Sequence, residues 1–286
     1  MFVKAIKQEA KMRLAIAGPS GSGKTYTALA IASHMGKKIA LVDTEHGSAS
    51  KYADLFSFDV MEMEPPYSPN RFAAAIREAQ AAGYDVLILD SMSHMWNGSG
   101  GLLEEVDKIA RAKYQNNSFA AWKDATPIYN NLVDTIIQSD VHVIATMRTK
   151  QDYILTDDGK GKMKPQKVGL APIQRDGFEY EFDIVLNMDL ENSGIVSKTR
   201  AAELNGKIFD KPGKDFAEIV TAWLQGAPRV ETIDPNGDKA VNYAAKEWNI
   251  APKEAREAIA QAIKDGKLKE PFAKDAFKAF VTGAPA

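Results

Sequence analysis

The sequence predicts an α/β fold: a mostly parallel sheet between helices, followed by a small helical extension at the C-terminus. Three observations carry that prediction. Short apolar runs alternate with helical patterns up to about residue 225. The runs are apolar at consecutive positions, as strands covered on both faces require. A glycine-rich stretch joins the first run to the first helix.

Leu14-Ala15-Ile16-Ala17 is the first strand and ends at Gly18. A helix is expected over 24–35. Ile39-Ala40-Leu41-Val42 is the second strand, ending at Asp43. The next helix is expected over 69–82: Pro69 suits its first turn, and Phe72, Ala75, Ile76 and Ala79 recur at helical spacing. Val86-Leu87-Ile88-Leu89 is the third strand and leads to Asp90. Residues 118–139 hold one or two helices, with Pro127 opening the second. Val141-His142-Val143-Ile144-Ala145 and Ile184-Val185-Leu186 are the fourth and fifth strands. Between them, 148–172 reads as a long hairpin-like loop turning at Asp157-Asp158-Gly159-Lys160-Gly161. A helix over 215–225 closes the first domain. The expected domains are a core over 1–226, a Gly- and Pro-rich linker over 227–238 and a small helical region over 239–286. Ten basic residues meet nine acidic ones over 227–286, so charge does not name a partner for that region.

Composition narrows the chemistry. The chain has 286 residues and no cysteine, which excludes disulfides, thiol catalysis, iron–sulfur clusters and cysteine-held zinc. Its 36 basic and 38 acidic side chains exclude a globally basic nucleic-acid binder but allow a local basic groove. No apolar run nears the roughly 18 residues of a membrane span. The opening stretch lacks the apolar core of a secretory signal, so a cytoplasmic protein without a membrane partner is expected.

The strongest motif is Gly18-Pro19-Ser20-Gly21-Ser22-Gly23-Lys24-Thr25, which fits GxxxxGK[ST] between a strand and a helix. Glycines let backbone N–H groups close around phosphates, and the helix N-terminus adds its positive dipole end. Lys24 is expected to reach the β- and γ-phosphates, and Thr25 to ligate Mg²⁺; the binding stretch extends to Tyr26. Asp90, after a buried strand, fits the second metal-holding position. Ser91 rather than Glu follows it, so the base must come from elsewhere. Glu45 stands just past the end of the second strand, at the edge where open α/β sheets bind ligands, and can polarise an attacking water.

The phosphate loop, the Val-Asp-Thr-Glu-His stretch (42–46) and the hydrophobic-Asp-Ser stretch together resemble the RecA core over roughly residues 10–225. The chain most resembles the RecA-like P-loop ATPases of bacteriophages and prophages, AAA-type ATP-binding proteins of the single-strand annealing and recombination group. Four stretches carry this: ILDSMSHMW (88–96), AWKDATPIYNNL (121–132), KPQKVGLAPIQRDGFEYEFDIVL (164–186) and SKTR (197–200). The resemblance implies an ATPase using ATP and Mg²⁺, with Glu45 activating water. It also implies single-stranded DNA and a single-strand-binding protein as partners, in a bacterial host cell. Lys198 and Arg200 resemble the finger of hexameric RecA-fold helicases, which completes a neighbour's site. That implies a homo-oligomeric ring or filament. A RecA-type sensor Gln is missing after the fourth strand, which leaves Arg148 or Lys150 to couple the γ-phosphate to DNA.

Residues 148–175 hold Arg148, Lys150, Lys160, Lys162, Lys164, Lys167 and Arg175 against three aspartates. That local excess of four positive charges suits a phosphate backbone. Arg148, Lys150, Lys160, Lys162, Lys164 and Lys167 are the candidate DNA-binding residues. Trp96, Phe119 and Trp122 are candidates for stacking on bases. Two other functions fit the same motifs: a helicase-like replication-accessory motor, and an assembly module switched by nucleotide with little turnover.

Overall fold

A computed structural model describes residues 3, 5, 7–157, 163–225, 234–268, 272 and 274–283. The chain divides into two compact units: Glu9–Gln225, and Gly226–Ala286 together with Met1–Gln8.

The larger unit runs β1 (Arg13–Gly18), α1 (Lys24–Ala32), β2 (Ile39–Asp43), β3 (Asp59–Glu62), α2 (Pro69–Ala81), β4 (Val86–Asp90), α3 (Met92–Asn97), α4 (Leu102–Lys113), α5 (Ser118–Gln138), β5 (His142–Asp157), β6 (Met163–Pro172), β7 (Ile184–Met188), β8 (Ser193–Thr199), β9 (Ile208–Asp210) and α6 (Lys214–Leu224). The sheet order is β3-β2-β4-β5-β1-β7-β8-β9, with β6 paired to β5 off that path. The strands from β3 to β7 are parallel, while β8 and β9 add antiparallel to the far edge. The expected α/β architecture is the observed one.

Each central strand feeds two cores. In β1, Ala15 and Ala17 join the layer under α2, α4 and α5, while Leu14 and Ile16 join the layer under α1 and α6. In β4, Leu87 and Leu89 face the first layer, Val86 and Ile88 the second. Burying such a side chain on either face stabilises by about 1.5–3 kcal/mol, so no polar alternation survives in these strands.

Of the one or two helices expected over 118–139, the structure forms one, Ser118–Gln138, with Pro127 inside it rather than opening a second. Ala121, Ala125, Tyr129, Leu132, Val133 and Ile136 are buried along one stripe, and that burial outweighs the roughly 3 kcal/mol cost of an internal proline. The segment after 148 has the hairpin character expected of it, as a long strand ladder rather than a loop. The strand β5 continues to Asp157 and pairs antiparallel with β6, from Thr149 opposite Pro172 to Asp157 opposite Met163.

In the smaller unit, α7 (Asp238–Trp248), α8 (Pro252–Lys264) and α9 (Lys274–Thr282) enclose a core of Val241, Ala244, Ala255, Ile259, Phe277 and Val281. The Trp248 indole N–H donates to the Val281 carbonyl at 2.8 Å and ties α7 to α9. Residues 226–233 of the expected linker lie outside the described residues.

Candidate functional site

The phosphate loop springs from the middle of the sheet. Its first residue has no room for a side chain: a Cβ on Gly18 would stand 2.6 Å from Ser22 Oγ and 2.8 Å from the Met188 carbonyl. Gly21 and Gly23 adopt φ of 84° and 76°, the left-handed region that glycine enters without strain. Gly23 is also the N-cap of α1 and offers no capping side chain, so the first-turn N–H groups stay available to an anion. The β7–β8 turn closes over the loop, and Asn192 faces Gly23.

Lys24 folds back over this loop and donates to the Pro19 carbonyl at 2.7 Å. Burial lowers its pKa, while Asp90 and Glu45 act to raise it. The Thr25 hydroxyl donates to Asp90 Oδ2 at 2.6 Å, and the Thr146 hydroxyl donates to the other oxygen at 2.5 Å. Asp90 is 1% exposed, and burial pushes its carboxyl above the usual carboxylate range. Among the described residues this buried carboxylate is held by two hydroxyls and forms no ion pair. Thr25 and Asp90 therefore fit a divalent cation shared with phosphate oxygens. Among the described residues no cluster of three or more histidines and carboxylates offers a metal site without such oxygens.

Glu45 stands two residues past β2. Asp43 shapes the turn that carries it, accepting from the Glu45 N–H at 2.6 Å and the Ala49 N–H at 3.0 Å. Thr44 locks that turn to the end of β4: its N–H donates to the Asp90 carbonyl at 2.7 Å, and its hydroxyl accepts from the Ser91 N–H at 2.8 Å. The same hydroxyl lies 2.7 Å from His94 Nδ1. The His94 ring stacks on Tyr67, and burial lowers its pKa, which keeps it neutral. His46 turns to Glu64 at 3.5 Å.

Arg148 does not point along the hairpin. Its Nε and Nη2 donate to Glu45 Oε1 at 3.1 and 2.8 Å. Lys150 is exposed on β5. Lys164 and Lys167 are register positions of β6, opposite Thr156 and Tyr153. Lys160 and Lys162 lie outside the described residues.

Lys198 and Arg200 are not brought to the phosphate loop of their own chain. The end of β7 near the loop is Asn187, opposite Ala17, whereas Lys198 lies opposite Val185 near the other end. The Lys198 ammonium donates to the Tyr180 and Phe182 carbonyls. Arg200 Nη1 is 3.4 Å from Asp183 Oδ1.

Thr146 escaped the sequence reading, and Thr44 stood there only as part of the 42–46 stretch with no role of its own. Other side chains complete the surroundings of the site. Ser93 and Gln174 secure α3 by bonds to the Arg148 N–H at 2.9 Å and from Gln174 Nε2 to the Met92 carbonyl at 2.6 Å. Tyr26 meets Tyr52 and Phe56 edge-on at centroid distances of 5.8 and 5.2 Å, an aromatic wall at the exposed start of α1. Trp96 and Trp122 stack at 6.0 Å, and Arg175 lies over Trp122 at 5.3 Å and over Tyr129 at 4.8 Å. Phe119, one helical turn before Trp122, is 90% exposed.

A glycine loop between a central parallel strand and a helix, with a hydroxyl and a buried aspartate across its mouth, defines a P-loop nucleotide-binding protein. The chain belongs to the AAA domain family, whose model matches residues 10–228. That family consists of nucleotide-hydrolysing P-loop proteins. A search of curated proteins finds no match to the chain. Among the described residues no helix is long and apolar enough to cross a membrane.

Proposed function

We propose that the protein hydrolyses ATP with Mg²⁺. One observation carries this reading: the Thr25 hydroxyl and the Asp90 carboxylate meet at 2.6 Å in the mouth of the phosphate loop, with Glu45 on the neighbouring strand end. Loop amides and Lys24 hold the phosphates. Thr25 and Asp90 would hold Mg²⁺, which supplies charge to offset the phosphate oxygens. Glu45 polarises a water. The water oxygen attacks the γ-phosphorus, the bond to the β-phosphate oxygen breaks, and Glu45 takes the proton. The test is steady-state ATP turnover of Lys24→Ala and Glu45→Gln. Loss of about 100-fold or more in each supports the assignment, and full turnover in either removes that residue from it.

We infer further that the activator is single-stranded DNA and the role recombination or strand annealing. The β5–β6 hairpin leaves the sheet at the phosphate-loop edge, since Arg148 pairs in register with Gly18 and the hairpin ladder starts at Thr149. Lys150, Lys160, Lys162, Lys164 and Lys167 belong to that segment, and the resemblance to phage RecA-like ATPases points the same way. Turnover measured without DNA, with single strands and with duplex is the test. Stimulation by single strands supports the reading. Indifference to DNA removes it and leaves an ATPase with a different activator.

A further inference from the structure

We propose that His94 is a positioning residue: through the Thr44 hydroxyl it fixes the turn from which Glu45 acts. This inference rests on the reading of Glu45 as the group that polarises water. The phosphate and metal contacts leave the Ser91-Met92-Ser93-His94 stretch after Asp90 without a use.

The helix α3 is six residues long, yet it joins the ends of three strands. Met92 and Met95 are fully buried and root it in the core. It begins directly after β4, whose last carbonyl, that of Asp90, accepts the Thr44 N–H at 2.7 Å. Just ahead of the helix, the Ser91 N–H donates to the Thr44 hydroxyl at 2.8 Å. Ser93 Oγ accepts the Arg148 N–H of β5 at 2.9 Å. His94 Nδ1 lies 2.7 Å from the Thr44 hydroxyl, one residue past β2. One short helix thus holds β2 and β5 to the end of β4.

His94 bears on Glu45 through one peptide group. The peptide between Thr44 and Glu45 is gripped at both ends. The Glu45 N–H donates to Asp43 Oδ1 at 2.6 Å, and the Thr44 carbonyl accepts the Tyr67 hydroxyl at 3.4 Å. Tyr67 is buried, and its ring stacks on His94 at a centroid distance of 5.2 Å. The half-buried imidazole therefore meets the Thr44 side chain by its edge, and by its face the ring whose hydroxyl holds the Thr44 carbonyl. The 2.7 Å contact forms in either neutral tautomer, with Nδ1 accepting from the hydroxyl or donating to it. Deleting the imidazole frees the Thr44 hydroxyl to turn and takes a packing partner from Tyr67. The carboxylate one residue on then loses the direction in which it presents oxygen to a water. The phosphates are held elsewhere, by loop amides and Lys24, so the loss falls on the chemical step and not on binding.

The test is kcat and KM for ATP, measured on the full chain with Mg²⁺. The variants are His94→Ala, His94→Asn, His94→Gln, Thr44→Val, Glu45→Gln and two doubles, His94→Ala/Thr44→Val and His94→Ala/Glu45→Gln. His94→Ala should lower kcat about tenfold with KM within about twofold. Asparagine sets its amide where Nδ1 stands and should return kcat to within about threefold of the wild type, whereas glutamine sets its amide where Nε2 stands and should not. Thr44→Val, which also strands the Ser91 N–H, should be at least as slow as His94→Ala, and the double with His94→Ala no slower than Thr44→Val alone. Unchanged kcat in His94→Ala overturns the proposal, and so does a raised KM with kcat unchanged. His94→Asn no faster than His94→Gln overturns the contact through Nδ1. Losses that multiply in the double with Thr44→Val overturn the route through Thr44. Binding of a fluorescent ATP analogue shows whether each variant is folded. Should His94→Ala fail that check, the comparison of His94→Asn with His94→Gln decides. In the Glu45→Gln background His94→Ala should cost nothing more, and a further loss of about tenfold overturns this inference while leaving Glu45 in its role. Full turnover in Glu45→Gln overturns the role of Glu45, and this inference with it.

Discussion

Thr146 donates its hydroxyl to Asp90 Oδ1 at 2.5 Å, from a residue 56 positions further along the chain. With Thr25 on the other oxygen, Asp90 is wrapped in hydroxyl donors and, among the described residues, forms no ion pair. Burial raises its pKa, so the folded protein binds that proton more readily than the unfolded chain does. The sign follows from linkage. The contribution of Asp90 to stability is fully present at pH values below its unfolded pKa and is lost as pH rises through the folded one.

Asp90→Asn is therefore expected to act in opposite directions on stability and activity. Without metal or nucleotide at neutral pH, removing a buried charge should raise the melting temperature by roughly 2–6 °C. Mg²⁺-dependent turnover should fall by about 100-fold or more. Calorimetry of the nucleotide-free protein checks the first half. A lowered melting temperature would mean that the two hydroxyls already satisfy the carboxylate.

The contrast between Asp90 and Thr146 also marks what could be read from residues alone. Gly18 to Thr25 and Asp90 were legible because their chemistry is written in local spacing. Thr146 was not, since its role exists only where β5 lies beside β4. The same division runs through the fold. Strands β1, β2, β4, β5 and β7 announce themselves by apolar runs because both faces are buried. All four residues of β3 are exposed, and so are two of the three in β9, so neither carries a hydrophobic pattern. The hairpin beyond Arg148 is rich in Lys and Asp, and its pairing comes from backbone bonds that no side-chain period reports.

Arg13 shows how a buried charge can serve the fold. It is 5% exposed, and its guanidinium donates to the carbonyls of Met12 and Val141 at 2.9 Å, of Ile137 at 3.1 Å, and of Ser139. The Ile137 and Ser139 carbonyls belong to the end of α5, where helix carbonyls lack partners. Burial lowers its pKa to about 10. Arg13→Met should cost about 3–5 kcal/mol in urea unfolding, because several carbonyls lose their donor at once. Arg13→Lys should recover only part of that, having fewer donors and no planar fork. A cost below about 1 kcal/mol would show that water replaces the guanidinium.

His142 should make stability depend on acid. Its Nδ1 accepts the Met12 N–H at 2.9 Å, which requires the unprotonated nitrogen. Burial, then Lys11 and Arg13, lowers its pKa from 6.5 to about 4. The unfolded chain therefore binds the proton first. The contribution of His142 is present above pH 6.5 and is lost as pH falls through about 4. Discounted for its partly exposed ring, the loss is about 1–2 kcal/mol. His142→Asn keeps an acceptor for Met12 and removes the titration. Urea midpoints between pH 4 and 7 should flatten in that variant, and an unchanged slope would assign the acid sensitivity elsewhere.

Of the two finger candidates, only Arg200 is placed to reach beyond its own chain. Lys198 is committed to the Tyr180 and Phe182 carbonyls, whereas the Arg200 side chain is 65% exposed and held by a single 3.4 Å ion pair to Asp183. It sits toward the end of the sheet away from the phosphate loop, so any action on a phosphate must be on a neighbour's. A mixing experiment isolates that action. Lys24→Ala destroys a chain's own site but leaves its Arg200, and Arg200→Ala does the reverse. Each alone should turn over ATP at least about tenfold more slowly than the wild type. If the chains assemble as the finger resemblance implies, an equal mixture contains interfaces that pair an intact loop with an intact arginine, and turnover should rise well above the sum of the separate rates. Turnover equal to that sum, in a mixture shown by light scattering to be oligomeric, would mean that Arg200 serves only its own chain through Asp183.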